Sequence, residues 1–433
     1  MPDDGEPPAR SRRALRFAGA LKHRNYRLFF AGQTINLLGT WLTRFATVWM
    51  VYRLTGSPLM LGLVGFFGQA PAAVLAPVAG VLVDRWNRRR TVVLAQTASM
   101  LQSAALAFFA LTGTITVWHL LALGAVQAVI NAFDTVSRQA FLGEMVEDRA
   151  DLPNAVALNA LMVNLAKMLG PVLAAALVPL VGEGWCFTID AISTLAVLAS
   201  LFAMRVAPHA VPRRAGGGLR QLAEALGYVR RLPEVAAVLA LFTTTSFLAG
   251  AYANMLPLLA GGLLHGGAHA LGTLMGAAGF GALTGAMLLA IRTGATRSQG
   301  VSLRRPLFAS LCLGVALVGV ELARSTVGAA VLFFLVGAGL MMQSTSSNTI
   351  IQTRVAREKI GRVMSLYAFG FYGGAPLGAL AEGAVAKLVG PVHMFALAGV
   401  GCLLGAAVFG DALRRLVHAG RIAAELSRGS SAE

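Results

Sequence analysis

Apolar runs of nearly constant length alternate along this chain with short polar breaks. A hydrocarbon core of about 30 Å takes roughly 20 helical residues, and runs of that size fall near 28–52, 58–83, 91–112, 117–138, 153–181 and 185–204. A polar segment with Pro208, Pro212, Arg213, Arg214 and Gly216 to Gly218 interrupts the series, and further runs follow near 235–260, 269–291, 303–322, 326–349, 362–386 and 391–413. The pattern predicts an all-α membrane protein of twelve transmembrane helices in two six-helix bundles, 28–204 and 235–413. Residues 1–27 then form a cytoplasmic arm, 205–234 a cytoplasmic linker and 414–433 a tail. Within the linker, Leu219, Leu222, Ala223, Leu226 and Val229 share one helical face opposite Arg220, Glu224, Arg230 and Arg231. That segment reads as an amphipathic helix on the inner leaflet.

Charge gives an independent test of the spans. With both termini placed in the cytoplasm, 31 of the 36 Lys and Arg residues fall in cytoplasmic breaks, as the positive-inside rule requires. Arg53, Arg324 and Lys387 fall on the other side, and Arg44 and Lys167 lie within runs. One missed span would reverse the phase of everything downstream. The basic group Lys22, His23, Arg24 and Arg27 follows Arg12 and Arg13 directly, so the start reads as an inner-face arm rather than an export signal. The expected location is the cytoplasmic (inner) membrane.

Composition narrows the function classes. At 433 residues and 56% hydrophobic content, the chain uses lipid as its solvent. A net charge of +17 would suit nucleic acid, but the basic residues are dispersed between apolar runs, which excludes that partner. Cys186, Cys312 and Cys402 stand singly, without disulfide or metal-ligand spacing. No Gly-x-x-x-x-Gly-Lys loop is present to bring ATP into play, and no nucleophile–base constellation points to an enzyme. No cofactor and no metal are expected. The expected partners are a small-molecule substrate, protons and membrane lipid, with the protein acting as a monomer.

The halves echo one another. An offset of 205 residues carries Pro171 onto Pro376 (171 to 376) and Gly80 onto Gly285. Repeats of this kind mark transporters whose substrate site lies between halves near the bilayer midplane.

The loop Gly80-x-x-x-Asp84-Arg85-x-Asn87-Arg88-Arg89-Arg90 resembles the motif between the second and third helices of the major facilitator superfamily. It departs where Asn87 replaces the usual Gly, a substitution expected to work because Asn tolerates left-handed backbone. The runs Phe133-Asp134-Thr135-x-x-Arg138-Gln139-Ala140-Phe141, Asp151-Leu152-Pro153-Asn154-Ala155, Gly184-Trp185-Cys186-Phe187 and Gly361-Arg362-Val363-Met364-Ser365-Leu366 resemble the enterobactin-exporter and macrolide-efflux branch. The resemblance implies gating by Gly80, Asp84, Arg85, Arg88, Arg89, Arg138, Gly361 and Arg362, with Asp84 engaging the start of the eleventh span near Gly361 and Arg362. It also implies a hinge at Gly170-Pro171 in the fifth span and a cavity lined by the first, fourth, seventh and tenth spans.

Five ionisable residues lie inside spans: Arg44, Asp134, Lys167, Asp190 and Glu382. Each costs about 2.5–3.5 kcal/mol at the bilayer centre, so each needs a partner or a wet cavity. Asp134, Asp190 and Glu382 are candidate proton-coupling acids, with Arg44 and Lys167 either tuning them or holding an anionic substrate group. Structural ion pairs are the competing reading. Candidate cavity residues are Gln33, Asn36, Thr40, Arg44, Asn131, Asn164, Lys167, Asn254, Gln343 and Asn348. The leading function is export of small amphipathic molecules, a drug or a siderophore, by alternating access with proton antiport. A lysolipid flippase and a non-transporting membrane sensor or assembly protein on the same fold are the alternatives.

Overall fold

The computed structural model describes residues 19–83, 86–146, 148–204, 218–295 and 302–429, so Asp84 and Arg85 lie outside the described residues. The helices of the first half are α1 (Arg24–Thr55), α2 (Pro58–Phe67), α3 (Ala70–Val83), α4 (Arg88–Leu111), α5 (Val117–Met145), α6 (Leu152–Val181) and α7 (Glu183–Ala203). After them come α8 (Gly218–Val229), α9 (Pro233–Ala249), α10 (Tyr252–Pro257), α11 (Gly267–Ala295), α12 (Arg304–Gly319), α13 (Thr326–Arg354), α14 (Ile360–Val389) and α15 (Pro391–Gly429). No strand occurs among the described residues.

Among the described residues, eleven helical stretches are long and apolar enough to cross a membrane. The remaining expected span, 28–52, lies on α1, whose 32 residues suffice in length. Gln33, Asn36, Thr40 and Arg44 keep its hydropathy below that of the others. The span read as 58–83 is broken between α2 and α3. Pro71 sits in the first turn of α3 and has no N–H to continue the ladder from α2, while the Gly68 amide closes α2 on the Val64 carbonyl. The span read as 235–260 is likewise divided, into α9, α10 and a π-helical turn, Leu258–Leu263.

The chain folds as two compact units. The first comprises Met1–Thr47, Val74–Ile115 and Val126–Arg214, and the second Val48–Ala73, Thr116–Ala125 and Ala215–Glu433. In the first unit, Tyr26, Phe29, Val92, Phe141, Met145, Val197 and Leu201 form a buried cluster. The Tyr26 hydroxyl donates to the Ala155 carbonyl at 2.9 Å, so its one polar atom is satisfied inside that cluster. Helices α1 and α6 approach closely at Gly170, where an added Cβ would lie 2.3 Å from Trp41 Cβ. Close packing is therefore sufficient reason for glycine at the proposed hinge position.

In the second unit the same logic recurs one half-repeat later. Ala375, just before Pro376, packs against Gly250 at the end of α9, so in each half the fifth span meets the first beside its proline. The α2 helix packs on α14 through Gly62 and Gly383, whose backbones leave no space for a side chain on either. The expected amphipathic helix of the linker is α8. Its residue Val229 joins Val235, Leu239, Ile351, Val355 and Val363 in a buried cluster beside the start of α14.

Candidate functional site

The site candidates of the first unit separate into two sets. One set is buried and mutually bonded. Asp134 on α5, 6% exposed, accepts from Gln96 Nε2 on α4 at 2.9 Å and meets Arg138 Nη2 one turn away at 3.5 Å. Gln96 Oε1 accepts from Asn36 Nδ2 on α1 at 3.3 Å, and Asn36 Oδ1 accepts from the Thr194 hydroxyl on α7 at 3.0 Å. That hydroxyl also lies 3.0 Å from the backbone carbonyl of Asp190. The Asp190 carboxylate, 5% exposed, accepts from Ser103 Oγ at 2.7 Å and Thr40 Oγ1 at 3.4 Å. The result is a continuous polar chain from Arg138 to Ser103 that ties α1, α4, α5 and α7 together. Close approach of α1 to α7 makes it feasible: a Cβ at Gly39 would lie 2.3 Å from Ser193 Oγ.

The second set faces open space. Arg44 is exposed and Lys167 half-buried, and neither forms an ion pair among the described residues. The expectation that they tune Asp134 or Asp190 is not met in this arrangement, because both acids are held by other groups. Arg44 instead rests its guanidinium 5.1 Å from the centroid of the Trp41 ring. Asn131 bonds Gln127 and Asn164 bonds its own Ala160 carbonyl, so these two complete local contacts rather than a cluster with Lys167.

The gating motif is partly described. A Cβ at Gly80 or at Gly361 would meet nothing within 4 Å. Asn87 has φ −69° and caps α4, its Oδ1 accepting from the Arg90 amide at 3.0 Å. The expected left-handed conformation is therefore absent, and N-capping explains the residue. Arg88 binds Glu144 at 2.8 Å, and Arg89 donates to the Leu201 carbonyl at 2.7 Å, at the C-terminal end of α7 where carbonyls lack helical partners. Both arginines thus fasten helix ends within the first unit. Arg362 pairs with Glu224 of α8 at 2.7 Å.

In the second unit Glu382 is 6% exposed and faces the Ala251 backbone without a hydrogen bond of ordinary geometry. Gln343 is 1% exposed with neither amide atom bonded. Asn254 packs against Gly65, and Asn348 bonds Gln352.

Sequence reasoning misses Gln96, Ser103 and Thr194, which carry the chain. Their signal is present as polar positions inside the third and sixth spans, but the family's cavity pattern points to the first, fourth, seventh and tenth. The sequence alone also gives no physical reason for the motif Asp151-Leu152-Pro153-Asn154. Asp151 accepts from Lys22 at 2.7 Å and lies 3.0 Å from His23 Nε2, while Asn154 Oδ1 accepts from the Ala20 amide at 2.9 Å. The motif clamps the chain entering α1 onto the start of α6. Lys22 and then His23 hold the Asp151 carboxyl below its usual range, and the same contact raises Lys22.

A helical, many-span chain with acids and cations set inside its spans is a multi-pass membrane protein whose charged positions mark a path for polar solutes. A family model described as transmembrane secretion effector matches residues 17–425, and the chain belongs to that family, of the major facilitator type. It is 22% identical over 385 residues to the Staphyloferrin A transporter of Staphylococcus aureus, covering 88% of this chain and 94% of that one. Macrolide efflux protein A of Streptococcus pyogenes is 23% identical over 397 residues, covering 87% and 94%. Enterobactin exporter EntS of Citrobacter koseri is 24% identical over 389 residues, covering 88% and 90%. Among solved structures, a bacterial homolog of the human lysosomal transporter Spinster, inward-facing and unoccupied, matches with a TM-score of 0.69 at 15% identity. That match covers 95% of this chain and 98% of that one, and it shows a shared fold.

Proposed function

We propose that this protein exports small amphipathic molecules from the cytoplasm across the inner membrane, by alternating access coupled to proton antiport. It acts as a lipid-embedded monomer with both termini cytoplasmic. The observation that carries the reading is the bonded chain from Asp134 through Gln96, Asn36 and Thr194 to Asp190. A carboxylate only accepts hydrogen bonds, whereas a protonated carboxyl donates one. Proton uptake at Asp134 therefore changes its bond to Gln96 on α4, and uptake at Asp190 changes its bonds to Ser103 on α4 and Thr40 on α1. Proton binding and helix packing share the same atoms, which is the linkage a gradient-driven transporter requires. The relatives add the cargo class, since their names specify a siderophore or a macrolide. Gly80, Asp84, Arg85, Gly361 and Arg362 keep the gating role that the motif resemblance implies.

The test uses everted membrane vesicles energised with a proton gradient and a panel of radiolabelled macrolides and siderophores. Uptake of at least one compound is expected to collapse with an uncoupler. D134N and D190N should abolish gradient-driven uptake while D190N retains exchange of preloaded substrate. Uptake indifferent to the uncoupler would remove proton antiport.

A further inference from the structure

We infer that the cargo presents an organic anion, a carboxylate or similar oxyanion, which seats on Arg44 and Lys167. The site stands on the first unit alone, while its use in cargo export rests on the transport reading above.

The described acids of that unit are engaged elsewhere. Asp134 is held by Gln96 and Arg138, Asp190 by Ser103 and Thr40, Glu144 by Arg88, and Asp151 by Lys22 and His23. Asp148 accepts from the Ala150 amide, and Glu183 has a partner of its own. Of the cations set inside the spans of that unit, Arg138 has Asp134, while Arg44 and Lys167 have no carboxylate beside them among the described residues. They stand on helices that pack together, since Trp41, one turn before Arg44, packs on the cluster that contains Ala166, the neighbour of Lys167, and also abuts Gly170. Two like charges set together inside a membrane, each without a counter-ion, are costly unless an anion completes them.

Their depth says which anion. Lys167 lies 15 residues after the first residue of α6 and 14 before the last (152 to 167 to 181). At about 1.5 Å per residue that is roughly 20 Å from either end, beyond the reach of a lipid headgroup. Arg44 is exposed and Lys167 half-buried, so both charged heads are accessible. A guanidinium offers a planar fork matched to two oxygens, and an ammonium adds a point charge beside it.

The surroundings supply the other half of the recognition. Leu37, Met162 and Ala166 form a buried apolar cluster with Phe30, Leu38, Trp41 and Val163 packed around it. Arg44 lies one turn after Trp41, and Lys167 next to Ala166 on the chain. The cation pair therefore sits beside apolar and aromatic surface, which suits an amphipathic acid better than a small inorganic ion.

The experiment reconstitutes the full chain in phosphatidylcholine nanodiscs and titrates two fluorescent probes that differ only in charge, dansylglycine and dansylglycinamide. The acid should bind at least about tenfold more tightly than the amide. R44Q and K167Q should each weaken the acid by about tenfold and leave the amide unchanged, with R44K retaining part of the preference. Both Gln variants should melt at or above the wild-type temperature, because they remove an uncompensated charge. No binding of the acid, equal binding of the two probes, a preference that survives both substitutions, or a lower melting temperature in both variants would overturn the inference. Uptake of the two probes into everted vesicles separates the two readings. If the acid binds through the pair but is never moved, the anion site stands and the export reading fails. If the amide is exported as well as the acid, export stands and the anion site fails.

Discussion

In the first unit Asp134 and Asp190 reach one another through Gln96, Asn36 and Thr194. In the second, Gln343, Ser346, Ser347 and Glu382 lie buried with no hydrogen-bond partner of ordinary geometry among the described residues. Both units hide polar groups from lipid, and the first also leaves Gln33 and Ser137 buried without a hydrogen-bond partner among the described residues. Its two buried acids, however, are bonded to side chains on neighbouring helices, whereas Glu382 of the second is not. A matched network fixes the rotation of each helix, since a rotated helix breaks several bonds together. An unmatched buried group costs about 1–3 kcal/mol, so the second unit carries unmet polarity for which packing gives no return. There the helices are joined by other means. A Cβ at Gly337 would fall on the Ala278 carbonyl and one at Gly281 on the Phe334 carbonyl, so α11 and α13 meet backbone to backbone.

The contrast can be broken by substitution. Asn36→Leu strips Gln96 Oε1 of its donor and Thr194 of one of its two acceptors. It should destabilise the protein by about 2–4 kcal/mol, read as a large fall in thermal unfolding temperature in nanodiscs. Gln343→Leu removes an amide that has no partner to lose. It should stabilise by about 1 kcal/mol and depress transport where Gln343 serves the cargo. Similar losses from the two substitutions would erase the distinction between the units.

A smaller effect follows from the clamp at Asp151. Its carboxyl is held low by Lys22 and His23, so the folded chain takes up that proton less readily than the unfolded one. The contact stabilises the fold above about pH 4 and is lost as pH falls through the depressed value. Lys22 is raised by the same partner, so its share persists to above about pH 10.5 and is lost as pH rises through the raised value. Hydrogen-exchange protection of the Ala20 amide should be flat between those limits and drop on the acid side. Asp151→Asn should remove that acid dependence.

The spans are legible because lipid enforces their length and apolarity almost residue by residue. The interruptions in the second and seventh spans are written in Gly68 with Pro71 and in Gly250 with Pro257, yet a hydropathy run does not record a local break. Asn87 shows the opposite failure. A departure from a family glycine invites a backbone explanation, while the sequence Asn87-Arg88-Arg89-Arg90 already has the spacing of a helix cap. Asp134 and Asp190 are visible as rare acids in apolar runs. Their partners are not, because which residue faces which across two helices depends on rotation and crossing angle, and single-span patterns contain neither.

Trp41 has a consequence of another kind. Its indole lies beneath the Arg44 guanidinium, one turn away on the same helix, and a cation over an aromatic face alters that ring's excited state as well as its ground state. The chain holds five tryptophans, and a version keeping Trp41 alone would carry its own optical gauge at the depth of the cation pair. Light emitted there would report, without any added label, each time the guanidinium leaves the ring for another partner.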